Sequence, residues 1–162
     1  MDHIANQPQS QYPARPQPIA PARTDPLADA LAEVQRIVAQ YPELTNFGFG
    51  VFDQHRLSPE EREAQFRRDR LSMFKQSSIL DFLKARDWLQ SQGKRQTINR
   101  IGTSYGLKHI AAHDIGYVTN GMFIAAAISA ECQIERAGPG SPNAFFNVAK
   151  AAWRYRRNGG MV

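Results

Sequence analysis

Cysteine is almost absent. The single Cys132 excludes an intrachain disulfide and a multi-cysteine zinc site, and no neighbouring residues mark it as an activated thiolate. Long apolar runs are missing as well: the longest, Met122–Ile128, falls far short of the roughly 20 residues that span a bilayer. Glycine never occurs in an arrangement that cradles a phosphate. GFGVF and RAGPGSPN lack the lysine and helix start of a P-loop, and no Rossmann fingerprint is present. The His-Glu-x-x-His zinc arrangement is also missing, because Ile110 follows His109; His109 and His113 stand on one helical face with no third ligand in view. No catalytic residue, metal or cofactor is therefore expected, and an enzyme is the less favoured class.

What the chain does have is base and proline. Its 162 residues carry 20 Lys and Arg against 15 Asp and Glu, a formal +5, which favours a polyanionic partner although excess charge also serves solubility. Six of the ten prolines fall in MDHIANQPQSQYPARPQPIAPARTDP, a segment that supports neither helix nor sheet ladder and reads as a disordered tail over 1–26. It would be a ligand for an aromatic-lined groove, a tether, or an inert leader. Arg15 and Arg23 add some attraction for nucleic acid. The polar, proline-rich start does not resemble a secretory signal, so a cytoplasmic protein without membrane contact is expected.

Order is expected from Thr24. Thr24 or Asp25 can cap a helix with Pro26 at its first position, and Leu27, Leu31, Val34, Val38 and Tyr41 form its apolar seam, suited to the core or to pairing with a second copy as a homodimer. Pro42 ends it. ELTNFGFGVFDQHRL then gathers Phe47, Phe49, Val51 and Phe52 around two glycines, as a short strand or an aromatic plug. Ser58 opens the next helix with a capping box to Glu61. In its body, Arg62, Arg67, Arg68 and Arg70 are largely cancelled by Glu60, Glu61, Glu63 and Asp69, so a solvated face is preferred to a phosphate-contacting one. Ser77 or Ser78 would cap a third helix anchored by Ile79, Phe82, Leu83 and Leu89, with Trp88 at its edge.

Two basic stretches are candidates for binding. In GKRQTINRIGTSYGLKH, Lys94, Arg95, Arg100 and Lys108 occur without an intervening acid, and such bases release condensed counterions on a phosphate backbone; the alternative is a polar loop kept soluble by its charges, and position beside the helix-turn-helix favours binding. Thr97, Asn99, Ser104 and Tyr105 add neutral donors. Near the C-terminus, Lys150, Arg154, Arg156 and Arg157 alternate with Trp153 and Tyr155, a composition that grips nucleic acid by stacking and charge or describes a helix with snorkelling arginines.

Between these lies SYGLKHIAAHDIGYVTNGMFIAAAI. Ala112 gives close helix crossing and Gly116 a turn, while Leu107, Ile110, Ala111 and Ile115, then Met122, Ala125, Ala126 and Ile128, supply apolar contacts at helical spacing. Thr119 or Asn120 would cap the second helix. That helix is apolar nearly all round, so base reading would fall to Thr119 and Asn120. CQIER and AFFNV follow as a β-hairpin around AGPGSPN. The order helix, turn, helix, hairpin over about 78–148 resembles the winged helix-turn-helix class, and the string SYGLKHIA with GYVTNG and FIAAA looks like small proteins of proteobacterial plasmids and other mobile elements. The resemblance implies DNA contact, with the hairpin tip near the phosphate backbone.

The expected fold is mainly α with a small β-hairpin, an α+β class: one winged-helix-like domain over 27–157, preceded by the tail and followed by a flexible end at 158–162. The expected function is a small basic DNA-binding protein, a regulator or accessory factor of a mobile element. Its nucleic-acid contacts would come from Lys94, Arg95, Arg100, Lys108, Thr119, Asn120, Arg136, Asn143, Arg154 and Arg156. The alternative is a protein-interaction module or inhibitor on the same fold. Exposed Phe123, Phe145 and Phe146 would favour that alternative; a positive face joining Lys94, Arg95, Lys108 and Arg154 would favour DNA.

Overall fold

The computed structural model describes residues 25–154, which leaves the proline-rich segment up to Thr24, Arg156 and the expected flexible end outside the described residues. Helix α1 (Pro26–Gln40) begins as its sequence dictates. Asp25 accepts from the Leu27 amide at 3.0 Å and Pro26 occupies the first turn, where no amide hydrogen is needed. Ala30, Val34, Ile37 and Val38 are buried, and Leu27, Leu31 and Tyr41 pack half-buried beside them. Two short strands follow, β1 (Leu44–Thr45) and β2 (Gly48–Phe49), paired antiparallel with Leu44 opposite Phe49. Helix α2 (Pro59–Ser72) carries the reciprocal capping box, Ser58 N–H to Glu61 at 2.8 Å and Glu61 N–H to Ser58 Oγ at 3.2 Å.

Helix α3 (Gln76–Gln90) starts earlier than either serine would place it. Lys75 is its N-cap with no side-chain bond, and Ser78 Oγ instead donates to the Ser72 carbonyl. Strand β3 (Lys94–Asn99) corrects the expected polar loop. Its residues KRQTIN show no apolar alternation because most of them face solvent; the strand exists because it pairs along β5. Helix α4 (Ser104–Ile115) ends at Gly116, whose φ of 80° is the left-handed conformation glycine takes without strain. Helix α5 (Asn120–Ser129) is capped by Thr119. The hairpin of β4 (Ile134–Arg136) and β5 (Ala144–Val148) pairs Ile134 with Phe146 and Arg136 with Ala144, and a 3₁₀ turn (Lys150–Trp153) is the last element among the described residues.

The architecture is α+β, with three antiparallel strands in the order β3-β5-β4, β5 in the centre. Helices α4 and α5 lie in sequence between the first strand of that sheet and the hairpin that completes it. The core is built from α1, β1, β2, α3, α4, α5 and β5, while α2 buries no residue. Phe123 of α5 lies 6.2 Å from both Trp88 and Phe146, joining α3 to the sheet. Leu44, Met73, Phe82, Leu89 and Leu107 are fully buried around it. Residues Asn120 to Ala127 are buried without a break, so α5 has no solvent face over that span.

Candidate functional site

The segment that sequence left open between strand and plug is a cover over the start of α5. Gly121 donates to the Asn46 carbonyl at 3.1 Å, and Thr119 Oγ1 donates to Asn46 Oδ1 at 2.5 Å. The approach is so close that a Cβ on Gly121 would fall inside the Thr45 carbonyl. Asn120 fixes the other side. Its amide donates to the carbonyls of Phe47 and Pro142 at 3.2 and 3.1 Å and to Asn143 Oδ1 at 3.0 Å, tying the β1-β2 cover to the tip of the β4-β5 hairpin. Phe49 N–H donates to the Pro142 carbonyl at 2.9 Å, a second tie between the same two loops. Thr119 and Asn120 thus donate to internal partners and Asn143 accepts from Asn120, while Asn120 Oδ1 accepts nothing.

The expected basic face is not assembled. Lys94 Nζ donates to the carbonyl of Ala130, the C-cap of α5, where a cation complements the helix end. Arg100 Nη2 sits 2.6 Å from both oxygens of Glu135. Arg136 pairs with Glu43 and stacks on the Phe49 ring at 4.7 Å. Lys108 is only 5% exposed. Arg95 and Arg154 are exposed, and Arg156 lies outside the described residues. Sequence pattern carried no signal for these pairings because Glu43 and Glu135 are remote along the chain from the arginines they neutralise. The aromatic criterion for a protein module fails at the named residues as well, since Phe123 and Phe146 are buried and Phe145 is half-buried.

Exposed aromatics gather elsewhere. Between α4, the β1-β2 cover and the hairpin tip lies a cleft of about 690 Å³. Phe52, Tyr105 and Tyr117, exposed by 67, 54 and 71%, stand along it with the half-buried Phe47. Phe47 and Phe52 meet edge to face at 5.5 Å, and His109 meets Tyr105 in the same way at 4.6 Å. Asp69 and Gln65 of α2 form part of the wall and bond each other at 2.8 Å.

Lys108 lines this cleft from the buried side of α4. Its ammonium lies 5.1 Å from the Tyr105 ring centroid and 5.0 Å from that of Tyr117, one ring from the same helix and one from the α4-α5 linker. Aromatic faces attract a cation but accept none of its protons in a full hydrogen bond. No hydrogen bond or ion pair to a described residue satisfies it, and burial holds its pKa below the ordinary lysine value. Asn120 lines the cleft too, and its Oδ1 is buried with nothing donating to it. A cationic donor open to the cleft and, behind its wall, a neutral acceptor that nothing bonds thus stand at one aromatic-walled cavity of small-ligand size. Sequence reading noticed Lys108, Tyr105 and Asn120 separately; only the turn at Gly116, which swings Tyr117 over Lys108, brings them together.

Among the described residues no group of three or more His, Cys, Asp or Glu is placed to hold a metal ion, and no helix is long and apolar enough to cross a membrane. Cys132 is buried, and that burial raises its thiol pKa against the opposing pull of Lys94. No protein-family model matches this chain, and comparison with curated proteins and with solved structures finds no match either.

Proposed function

We propose that residues 76–148 form a winged-helix-like unit and that the protein is an interaction module, taking a segment of a protein partner in the aromatic cleft. The fold part of this reading rests on element order and strand order. Helix, turn, helix and hairpin follow one another in the order that the winged-helix resemblance implies, and β3 pairs with the returning strand of the hairpin. The observation that carries the functional part is the enclosure of α5. The helix that such a fold would lay in a major groove is buried along Asn120–Ala127, and its N-terminal turn is sealed by the β1-β2 cover. Base edges are read by polar side chains that reach them, and α5 offers none. Contiguous exposed aromatics are instead the compositional mark of protein interfaces.

Panning a random-peptide display library against the full chain tests this. Peptides should be enriched whose binding is lost in Tyr105→Ala and Tyr117→Ala, two exposed positions that leave the core intact. Enrichment indifferent to both substitutions would remove the cleft from the account.

A second reading has one observation of its own. The described residues hold sixteen Lys and Arg against fourteen Asp and Glu, so +3 of the net +5 belongs to the terminal segments with Arg15, Arg23, Arg156 and Arg157. Those bases, with exposed Arg95 and Arg154, would support contact with a phosphate backbone irrespective of sequence. Under this reading duplex affinity falls steeply with salt and is equal for unrelated sequences.

A further inference from the structure

We propose that the cleft recognises a free carboxylate, and specifically the C-terminal residue of a partner protein whose last side chain is apolar; this rests on the interaction-module reading above. Lys108 is 5% exposed, lines the cleft, and has no anion or acceptor among the described residues. Its ammonium, set between two tyrosine faces and open to the cleft, meets no acceptor among the described residues, so its protons are available to an entering anion. The anion is matched in charge by that one ammonium. Asp69 stands in the same wall as this one lysine, so a dianionic phosphate would meet twice the repulsion that a singly charged carboxylate meets, and the carboxylate is the better matched of the two.

The second unspent group narrows the ligand further. Asn120 Oδ1 is buried without a donor, while its amide nitrogen is held by three acceptors, so the side chain cannot rotate to hide the oxygen. A ligand N–H reaching past the wall to this oxygen would supply the donor it lacks, so the ligand is one that carries an N–H as well as an acid. Phe47, Phe52 and the two tyrosines frame a space for an apolar or flat body. A C-terminal residue unites the three within one unit: carboxylate, backbone N–H and side chain. An internal Asp or Glu offers its acid at the end of a flexible side chain and leaves the backbone outside.

N-acetyl-phenylalanine is the smallest probe with all three parts. Titrated into the isotopically labelled full chain, it should shift amide signals of residues 46–52, 105–109 and 117–120 saturably, together with the side-chain amide of Asn120. N-acetyl-phenylalaninamide, which lacks the charge, should bind at least about tenfold more weakly, the loss expected for one charge-assisted hydrogen bond. Lys108→Met should bring the two probes to equal affinity; Tyr117→Ala should weaken both and keep the preference. Equal affinities in the unaltered protein, a preference for phenyl phosphate, or no saturable shift at the cleft would overturn the carboxylate assignment. An aspartate side-chain probe, acetyl-aspartyl-methylamide, binding better than N-acetyl-phenylalanine would overturn the C-terminal source. If display peptides still require Tyr105 and Tyr117 when these probes fail, the interaction module stands and only the carboxylate claim falls.

Discussion

Lys108 and Asn120 show how a residue's chemistry is decided by what surrounds it. Lys108 stands in a stretch of bases free of acids, which is the pattern that phosphate contact favours, yet it is folded inward beneath Tyr105 and Tyr117. Burial lowers its pKa, and the sign of the resulting pH dependence follows. The folded state binds the proton less readily than the unfolded chain, so its burial opposes folding while the group is charged. That penalty disappears as pH rises from the depressed folded pKa through the unfolded value. Lys108→Met should therefore be more stable than the unaltered protein near neutral pH, and the difference should shrink as pH approaches that of a free lysine; thermal melts at a series of pH values measure it. Asn120→Ala is the opposite case. It removes the two amide protons that three acceptors on two loops share, at about 1 kcal/mol for each proton's bonding, so denaturant titration should show a loss of about 1–3 kcal/mol despite the single small substitution.

At the scale of elements, the periodic helices and the capped turns were legible. Asp25 and Pro26, the Ser58 capping box, the glycine at 116 and the Thr119 cap all act where local chemistry placed them, because each depends on residues a few positions away. The hairpin around AGPGSPN was legible for the same reason. What could not be read is what depends on distant partners. Strand β3 has an exposed, polar sequence and is a strand only by pairing with β5. The β1-β2 cover acts through Gly121, a contact across more than seventy residues. Gly121→Ala tests that cover most sharply: a methyl group there meets backbone, which cannot yield as a side chain can. Overpacking against movable groups costs about 1–3 kcal/mol, and this position should lose at least the upper end of that range in equilibrium unfolding. Gly116→Ala, in contrast, meets no neighbouring atom and is opposed only by a backbone, φ 80° with ψ −175°, that is nearly confined to glycine, so it should lose about 1–3 kcal/mol.

For the whole molecule, charge and burial point in different directions. The net +5 suggested a polyanion, but on the described residues the arginines that looked free, Arg100 and Arg136, are paired with Glu135 and Glu43. The helix that element order would offer to DNA is enclosed, and the cleft beside it holds an unspent ammonium, an unspent carbonyl oxygen and three exposed aromatic rings. The central claim is that this cleft, and not α5, is the face that meets a partner. An amide shift map of the labelled full chain titrated with a short duplex DNA at low salt tests it directly. The account predicts that Thr119–Phe123 and the hairpin tip at 137–141 do not move, and that any shifts fall at Arg95, Arg154 and the terminal segments. Saturable shifts at Thr119–Phe123 and the hairpin tip, different for two unrelated duplex sequences, would contradict it.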